Sequence, residues 1–310
     1  MEETTALSIT NFTKPSNSTA LPATYRWALL SIYTLVLVGG TISMSLTINI
    51  LQSNVRSFTT TAVINLIIVH ILFLLTVPFR IYYYIAGEWR LGEGFCRVVS
   101  GMIHAHIYLA FVFYVIILVT RYLAFYKQTD RIEFYRRLHA IGASVAVWLI
   151  MLTIALPVAI LEYGSPDSNV PTPAATYQCF SFGGQLNDRA VAVFNYILSS
   201  IIIIISLTLT LCQICILAKV YRTHGNLTFS HQEFWAQVKS LSFVAVLIVC
   251  LVPYNAFRIY YVKNMNDQAS LERVNEVFLA ITTLSCLDML IFVRRPANNP
   301  CQAGYCCCLL

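Results

Sequence analysis

The chain has 310 residues, of which 58% are hydrophobic and 11% charged, and its mean hydropathy is +0.69. A soluble chain carries about 25% charged residues because its surface faces water, so most side chains here face one another or lipid. The formal charge of +6 is spread over 20 basic and 14 acidic residues without a basic run, which excludes a nucleic-acid partner, and the composition also excludes a disordered or collagen-like chain.

In chain order, a polar tail (1–26) precedes seven apolar runs at about 27–51, 62–86, 97–123, 139–161, 190–220, 236–261 and 271–293, and a short Cys-rich tail (294–310) closes the sequence. A helix needs about 20 mostly apolar residues to cross a hydrocarbon core roughly 30 Å thick. Lipid cannot satisfy backbone amides, so each run is expected to be helical. The expected fold is an all-α, seven-transmembrane helix bundle. The fifth run is long enough to project from the membrane, and the seventh is the least apolar.

Charge orients the bundle. One side holds Arg56, Arg121, Lys127, Arg131, Arg136, Arg137, Lys219, Arg222, Lys239, Arg294 and Arg295 against the acids Asp130, Glu133 and Glu233, a net of +8; the other side sums to −1, with Asp288 inside the seventh run. The basic side is expected to be cytoplasmic, which places the N-terminus outside. Residues 1–24 lack the apolar core of a cleavable signal, so the first helix is expected to act as its own anchor. Glycosylation sequons at Asn11 and Asn17 fall in the same outer tail. A third, at Asn226, falls on the basic side and is expected to stay unmodified.

Cys212, Cys215, Cys250 and Cys286 lie within apolar runs, where a thiol packs as a small hydrophobe. No repeated C-x-x-C with histidine partners occurs, so neither a metal nor a cofactor is expected. Cys96 and Cys179 stand in polar connecting stretches.

Cys96 lies 25 residues before Arg121, roughly 37 Å along a helix, so the two mark opposite ends of the third run. With Thr120-Arg121-Tyr122, Trp89, Trp148, Pro157, Cys250-Leu251-Val252-Pro253-Tyr254 and Ser285-Cys286-Leu287-Asp288, the chain resembles the rhodopsin-like G-protein-coupled receptors. The stretches Thr76–Arg80, Glu133–Arg136 and Ser230–Trp235 look like an orphan branch of that family. The resemblance implies a Cys96–Cys179 disulfide. It also implies a multi-pass receptor of the plasma membrane that passes an outside signal to a heterotrimeric G protein by moving the sixth helix. Its switch residues would be Thr120, Arg121, Tyr122, Glu233, Pro253, Asp288 and Phe292.

The sequence departs from that pattern. The acid before the arginine is Thr120, and the first-helix asparagine falls on Gly40. The second-helix aspartate falls on His70, the fifth-helix proline is missing, the sixth-helix tryptophan is Leu251, and the seventh-helix motif reads Asp288-Met289-Leu290-Ile291-Phe292. Glu233, about 30 Å of helix before Pro253, is expected to pair with Arg121, the alternative being a solvated loop residue. His70 and Asp288 are expected to form a direct or water-bridged hydrogen bond in mid-membrane, the alternative being a histidine satisfied by backbone. With His70 and Ala110 in the places of the usual ligands, no sodium site of the family's kind is expected.

The pocket expected at the outer side comprises Arg80, Ile103, Tyr108, Tyr254 and Arg258. Ile103 stands where amine receptors carry an aspartate, which argues against a monoamine ligand. The two arginines suit an anion, or else they pair with Glu272 or Glu276 or reach the headgroups. Cys306, Cys307 and Cys308 beside the membrane invite palmitoylation. No nucleophile elbow, phosphate loop or broken-helix ion site is present, so an enzyme or transporter is not expected. The remaining alternative is a non-signalling decoy or heteromer partner on the same scaffold.

Overall fold

A computed structural model describes residues 22–52, 58–126, 133–155, 179–180, 189–224, 232–264 and 268–290. These fold as α1 (Ala23–Gln52), α2 (Phe58–Leu74), α3 (Val77–Ala86), α4 (Glu93–Tyr126), α5 (Glu133–Ile150), α6 (Arg189–His224), α7 (Gln232–Val246), α8 (Val252–Lys263) and α9 (Gln268–Thr282). Two π-helical turns, Met151–Ala155 and Leu247–Leu251, extend α5 and join α7 to α8, and a 3₁₀ turn, Thr283–Leu287, closes α9. Helix covers the described part of each apolar run apart from turns at 75–76 and 288–289. The stretches Ala23–Asn49, Thr61–Ala86, Glu93–Leu123, Arg189–Thr223 and Gln237–Lys263 are each long and apolar enough to cross a membrane, and Gly142–Thr153 is a shorter apolar segment.

Two prolines shape the bundle. Pro78 has no N–H to return to the preceding turn. The helix therefore breaks between α2 and α3, where Thr76 turns both its N–H and its hydroxyl onto Phe73 O at 2.8 and 2.7 Å. Pro253 does the same at the start of α8, directly after the widened π turn. α3 ends on Gly87 at φ 75°, a left-handed cap that glycine adopts without a Cβ clash, its N–H reaching Tyr83 O at 2.8 Å.

Helix contacts follow side-chain size and polarity. α1 passes the seventh span closely because it presents glycines: a Cβ on Gly39 would stand 2.6 Å from Leu287 Cδ2, and one on Gly40 3.1 Å from Leu74 and 3.4 Å from Cys286. Small residues at helix crossings are a general feature of membrane bundles. Asn65 on α2 accepts from Trp148 Nε1 at 2.8 Å and donates to Ser144 Oγ at 3.1 Å, fixing α5 against α2. Gln213 on α6 donates to Gln237 Oε1 on α7 at 3.0 Å. The core between the helices is a continuous apolar cluster from Leu29 to Met289, while large apolar side chains such as Leu35, Ile68, Leu149, Phe194 and Val249 face outward.

Candidate functional site

Three polar regions lie along the bundle axis: one at the end carrying Cys96, one at its middle and one at the end carrying Arg121.

At the Cys96 end, Cys96 and Cys179 are joined by a disulfide with Cα atoms 5.8 Å apart. The bond anchors Phe180, a non-glycine residue at φ 71°, against the edge of Trp89 and Tyr83. Trp89 is buried and donates from Nε1 to Gly92 O at 2.7 Å. Beneath this lid Arg80 is fully buried. The break at Pro78 turns its α3 position inward, where it donates to Val99 O at 3.1 Å and Tyr33 Oη at 3.3 Å. Its guanidinium lies 4.3 Å from the Phe180 ring centroid, a cation–π distance. Arg258 on α8 reaches Asn195 Oδ1 on α6 at 3.3 Å and Asn275 Oδ1 on α9 at 3.4 Å. Of the acids weighed as partners for these arginines, Glu276 accepts from Tyr84 Oη at 3.2 Å. Among the described residues no carboxylate lies within 4.0 Å of Arg80. Ile103 and Tyr254 are buried in the core beside this region, and Tyr108 packs half-buried against it.

At the middle, His70 Nε2 stands 3.6 Å from Asp288 Oδ1, longer than a hydrogen bond. The partner of Asp288 is Tyr114, whose hydroxyl donates to Oδ2 at 2.6 Å. The other face of His70 meets His106, with Nδ1 and Nε2 2.9 Å apart, and Cys286 Sγ lies 3.5 Å from each of those two nitrogens. Neither His106 nor Tyr114 is singled out by the sequence, from which no metal-binding cluster is expected. Spacing along the chain cannot reveal this one, because His70, His106 and Cys286 come from three different spans. Three buried His and Cys side chains, with ligand atoms all within 4.8 Å of one another, form a set that could hold a metal ion. The signal in the sequence is three histidines, His70, His104 and His106, inside the second and third apolar runs.

At the Arg121 end, Thr120 turns its hydroxyl back to Ile117 O at 2.9 Å, so it offers the arginine no charge. Arg121 Nη1 donates to Ser240 Oγ on α7 at 3.0 Å, and its guanidinium lies 5.9 Å from the Phe243 ring centroid. Tyr122 is exposed and packs on Tyr126, their centroids 4.8 Å apart. Glu233 belongs to α7, but its side chain lies outside the described residues. Phe292, the sequons at Asn11 and Asn17, and Cys306, Cys307 and Cys308 lie outside them too.

A helical bundle with this disulfide, and with an arginine at the opposite end of the disulfide-bonded helix, is the frame of a seven-transmembrane receptor. Residues 43–290 match the 7 transmembrane receptor (rhodopsin family) domain, and the chain belongs to that family. It is 42% identical over 270 residues to the Probable G-protein coupled receptor 141 of Homo sapiens, covering 86% of this chain and 87% of that one. To the Probable G-protein coupled receptor 34 of Pan troglodytes it is 26% identical over 246 residues, 76% of this chain and 63% of that one. The N-arachidonyl glycine receptor of Rattus norvegicus is 24% identical over 279 residues, 87% of this chain and 81% of that one.

Proposed function

We propose that this receptor lies in the plasma membrane with its N-terminus outside, binds an anionic ligand at the Cys96 end, and activates heterotrimeric G proteins at the Arg121 end. The charge count supports the orientation, since the end carrying Arg121 also carries the excess of Lys and Arg that marks a cytoplasmic face.

The observation that carries the reading is the Arg121–Ser240 contact. It joins the third span to the sixth at the face a G protein would read, and the Pro253 break above it gives the sixth span a place to pivot. Glu233 lies seven residues before Ser240, two turns along the same face of α7 and about 10 Å away. On this reading its carboxylate pairs with Arg121 in the resting state. Outward movement of α7 would release Arg121 and open a cavity for a G-protein helix.

Anion binding rests on Arg80, a buried cation whose direct contacts are neutral oxygens and aromatic faces, the Glu276 carboxyl acting on it only from beyond 4.0 Å. Burying a charge without a counter-charge in direct contact is costly, and a carboxylate or phosphate would offset that cost through bidentate contacts. The name of the N-arachidonyl glycine receptor, one of the relatives, is that of a lipid carboxylate, which suits the same chemistry.

The test is guanine-nucleotide exchange on a panel of purified Gα subunits with the receptor in nanodiscs, alone and with lipid carboxylates and phosphates. Exchange above empty nanodiscs is expected for at least one Gα, and Arg121→Ala is expected to abolish it. No exchange on any Gα would overturn the reading.

A further inference from the structure

We propose that His70, His106 and Cys286 form a binding site for a borderline transition-metal ion, with Zn²⁺ as the best match, at the centre of the bundle. The inference is independent of the signalling role proposed above.

Geometry comes first. A tetrahedral zinc with Zn–N of about 2.0–2.1 Å and Zn–S of about 2.3 Å sets its N···S pairs about 3.5–3.6 Å apart and its N···N pair about 3.3 Å apart. Both N···S separations here are 3.5 Å, and the N···N separation is 2.9 Å. The sulfur is already at ligand spacing from both rings. Only the two nitrogens must part, by about 0.4 Å, to exchange their mutual contact for an ion. The three donors come from α2, α4 and the 3₁₀ turn that closes α9, so no local helix geometry forces them together.

The second observation is the outer partner. A metal-binding histidine ordinarily presents its other ring nitrogen to a carboxylate, which fixes the tautomer and leaves the inner nitrogen's lone pair for the metal. His70 Nε2 faces Asp288 Oδ1 at 3.6 Å, and neither atom has a hydrogen-bond partner among the described residues. Asp288 is itself held by Tyr114 at 2.6 Å, and His106 is stacked on Phe73 with centroids 4.4 Å apart. Both rings are therefore braced.

Charge is the third. Zn²⁺ would bind with loss of the Cys286 thiol proton to solvent, forming a Zn–S bond and leaving a thiolate. The two positive charges then cancel one thiolate and the Asp288 carboxylate, a neutral group in a medium where net charge is costly. Na⁺, Mg²⁺ and Ca²⁺ prefer oxygen donors and find none among these three. Three protein ligands leave one position of a tetrahedral ion open to water.

Co²⁺ is the probe, because a thiolate bound to it gives a charge-transfer absorption. The full chain is purified in nanodiscs, stripped with chelator, and carries serine at Cys212, Cys215, Cys301, Cys306, Cys307 and Cys308 and alanine at the buried Cys250, so that these thiols cannot contribute. One equivalent of Co²⁺ is expected to bind with the thiolate band, and Zn²⁺ should bleach it by displacement while excess Mg²⁺ does not. Cys286→Ser should remove the band. Asp288→Asn should keep the band but weaken affinity by about 10–100-fold, as for other outer partners of metal-bound histidines. His106→Gln, expected to lower affinity at least tenfold, carries the test if Cys286→Ser does not fold. A folded background protein that takes up no Co²⁺, a band that survives Cys286→Ser, or displacement by Mg²⁺ would each overturn the proposal.

Discussion

Tyr114 shows how much rests on a single hydroxyl in the middle of this bundle. It is the one hydrogen-bond donor that the described residues give to the Asp288 carboxylate, whose second oxygen has none. Removing one partner of a buried polar group leaves the other at its full desolvation cost, about 1–3 kcal/mol and more for a charge. Tyr114→Phe is therefore expected to lower the thermal midpoint of the purified receptor by several degrees, followed by unfolding in nanodiscs. An unchanged midpoint would mean that Asp288 does not depend on Tyr114. The same residues mark the limit of what the sequence reveals at this scale. His70 and Asp288 stand out as ionisable groups inside apolar runs, because lipid makes such residues conspicuous. Tyr114 does not stand out, since an aromatic ring in a transmembrane segment is unremarkable, and His106, though ionisable, cannot be matched to His70 until the helix's rotation about its axis is known. Composition carries no information about that rotation.

At the scale of helices, the apolar runs were legible because membrane thickness imposes a length on each of them. Their breaks were only half legible. Pro78 and Pro253 are visible in the chain, but the π turn before Pro253 and the 3₁₀ turn that sets Cys286 and Asp288 are products of packing. Gly40 belongs to this scale as well. The sequence marks it only as a missing asparagine, whereas the structure gives it a positive role, letting α1 approach Leu74 and Cys286. The two terms that decide a substitution there oppose each other. Alanine gains about 0.5–1 kcal/mol of helix preference over glycine, yet its Cβ sits 3.1 Å from Leu74 and needs that side chain to give way. Gly40→Ala is expected to be close to neutral. Gly40→Val adds two methyls at the same crossing, and overpacking of that kind costs about 1–3 kcal/mol. A lower thermal midpoint for the valine variant beside an unchanged one for alanine would establish the close approach, and equal midpoints for all three proteins would contradict it.

For the whole molecule, the question is how far the resting arrangement lies below the signalling one. The described part of the restraint between the third and sixth spans is the hydrogen bond from Arg121 to Ser240 with the Phe243 ring beside it. A hydrogen bond to a charged group contributes about 1.5–3 kcal/mol at most, and each 1.4 kcal/mol changes a population ratio about tenfold. Ser240 is one of several groups around Arg121, so its hydroxyl is expected to account for the lower part of that range. On the proposed reading Ser240→Ala raises agonist-free nucleotide exchange by a few-fold to about tenfold, as long as the resting state still dominates. Glu233→Gln should raise it too. Because both act on one guanidinium, the double variant should exceed neither single effect by their full product. Arg121→Ala would abolish exchange in all of these backgrounds if the arginine also serves the open state. The assay is basal exchange on the responsive Gα at matched receptor density. Exchange that stays at the wild-type level in both single variants would mean that the third and sixth spans are not held together at this end by Arg121, and the resting restraint would have to be sought elsewhere in the bundle.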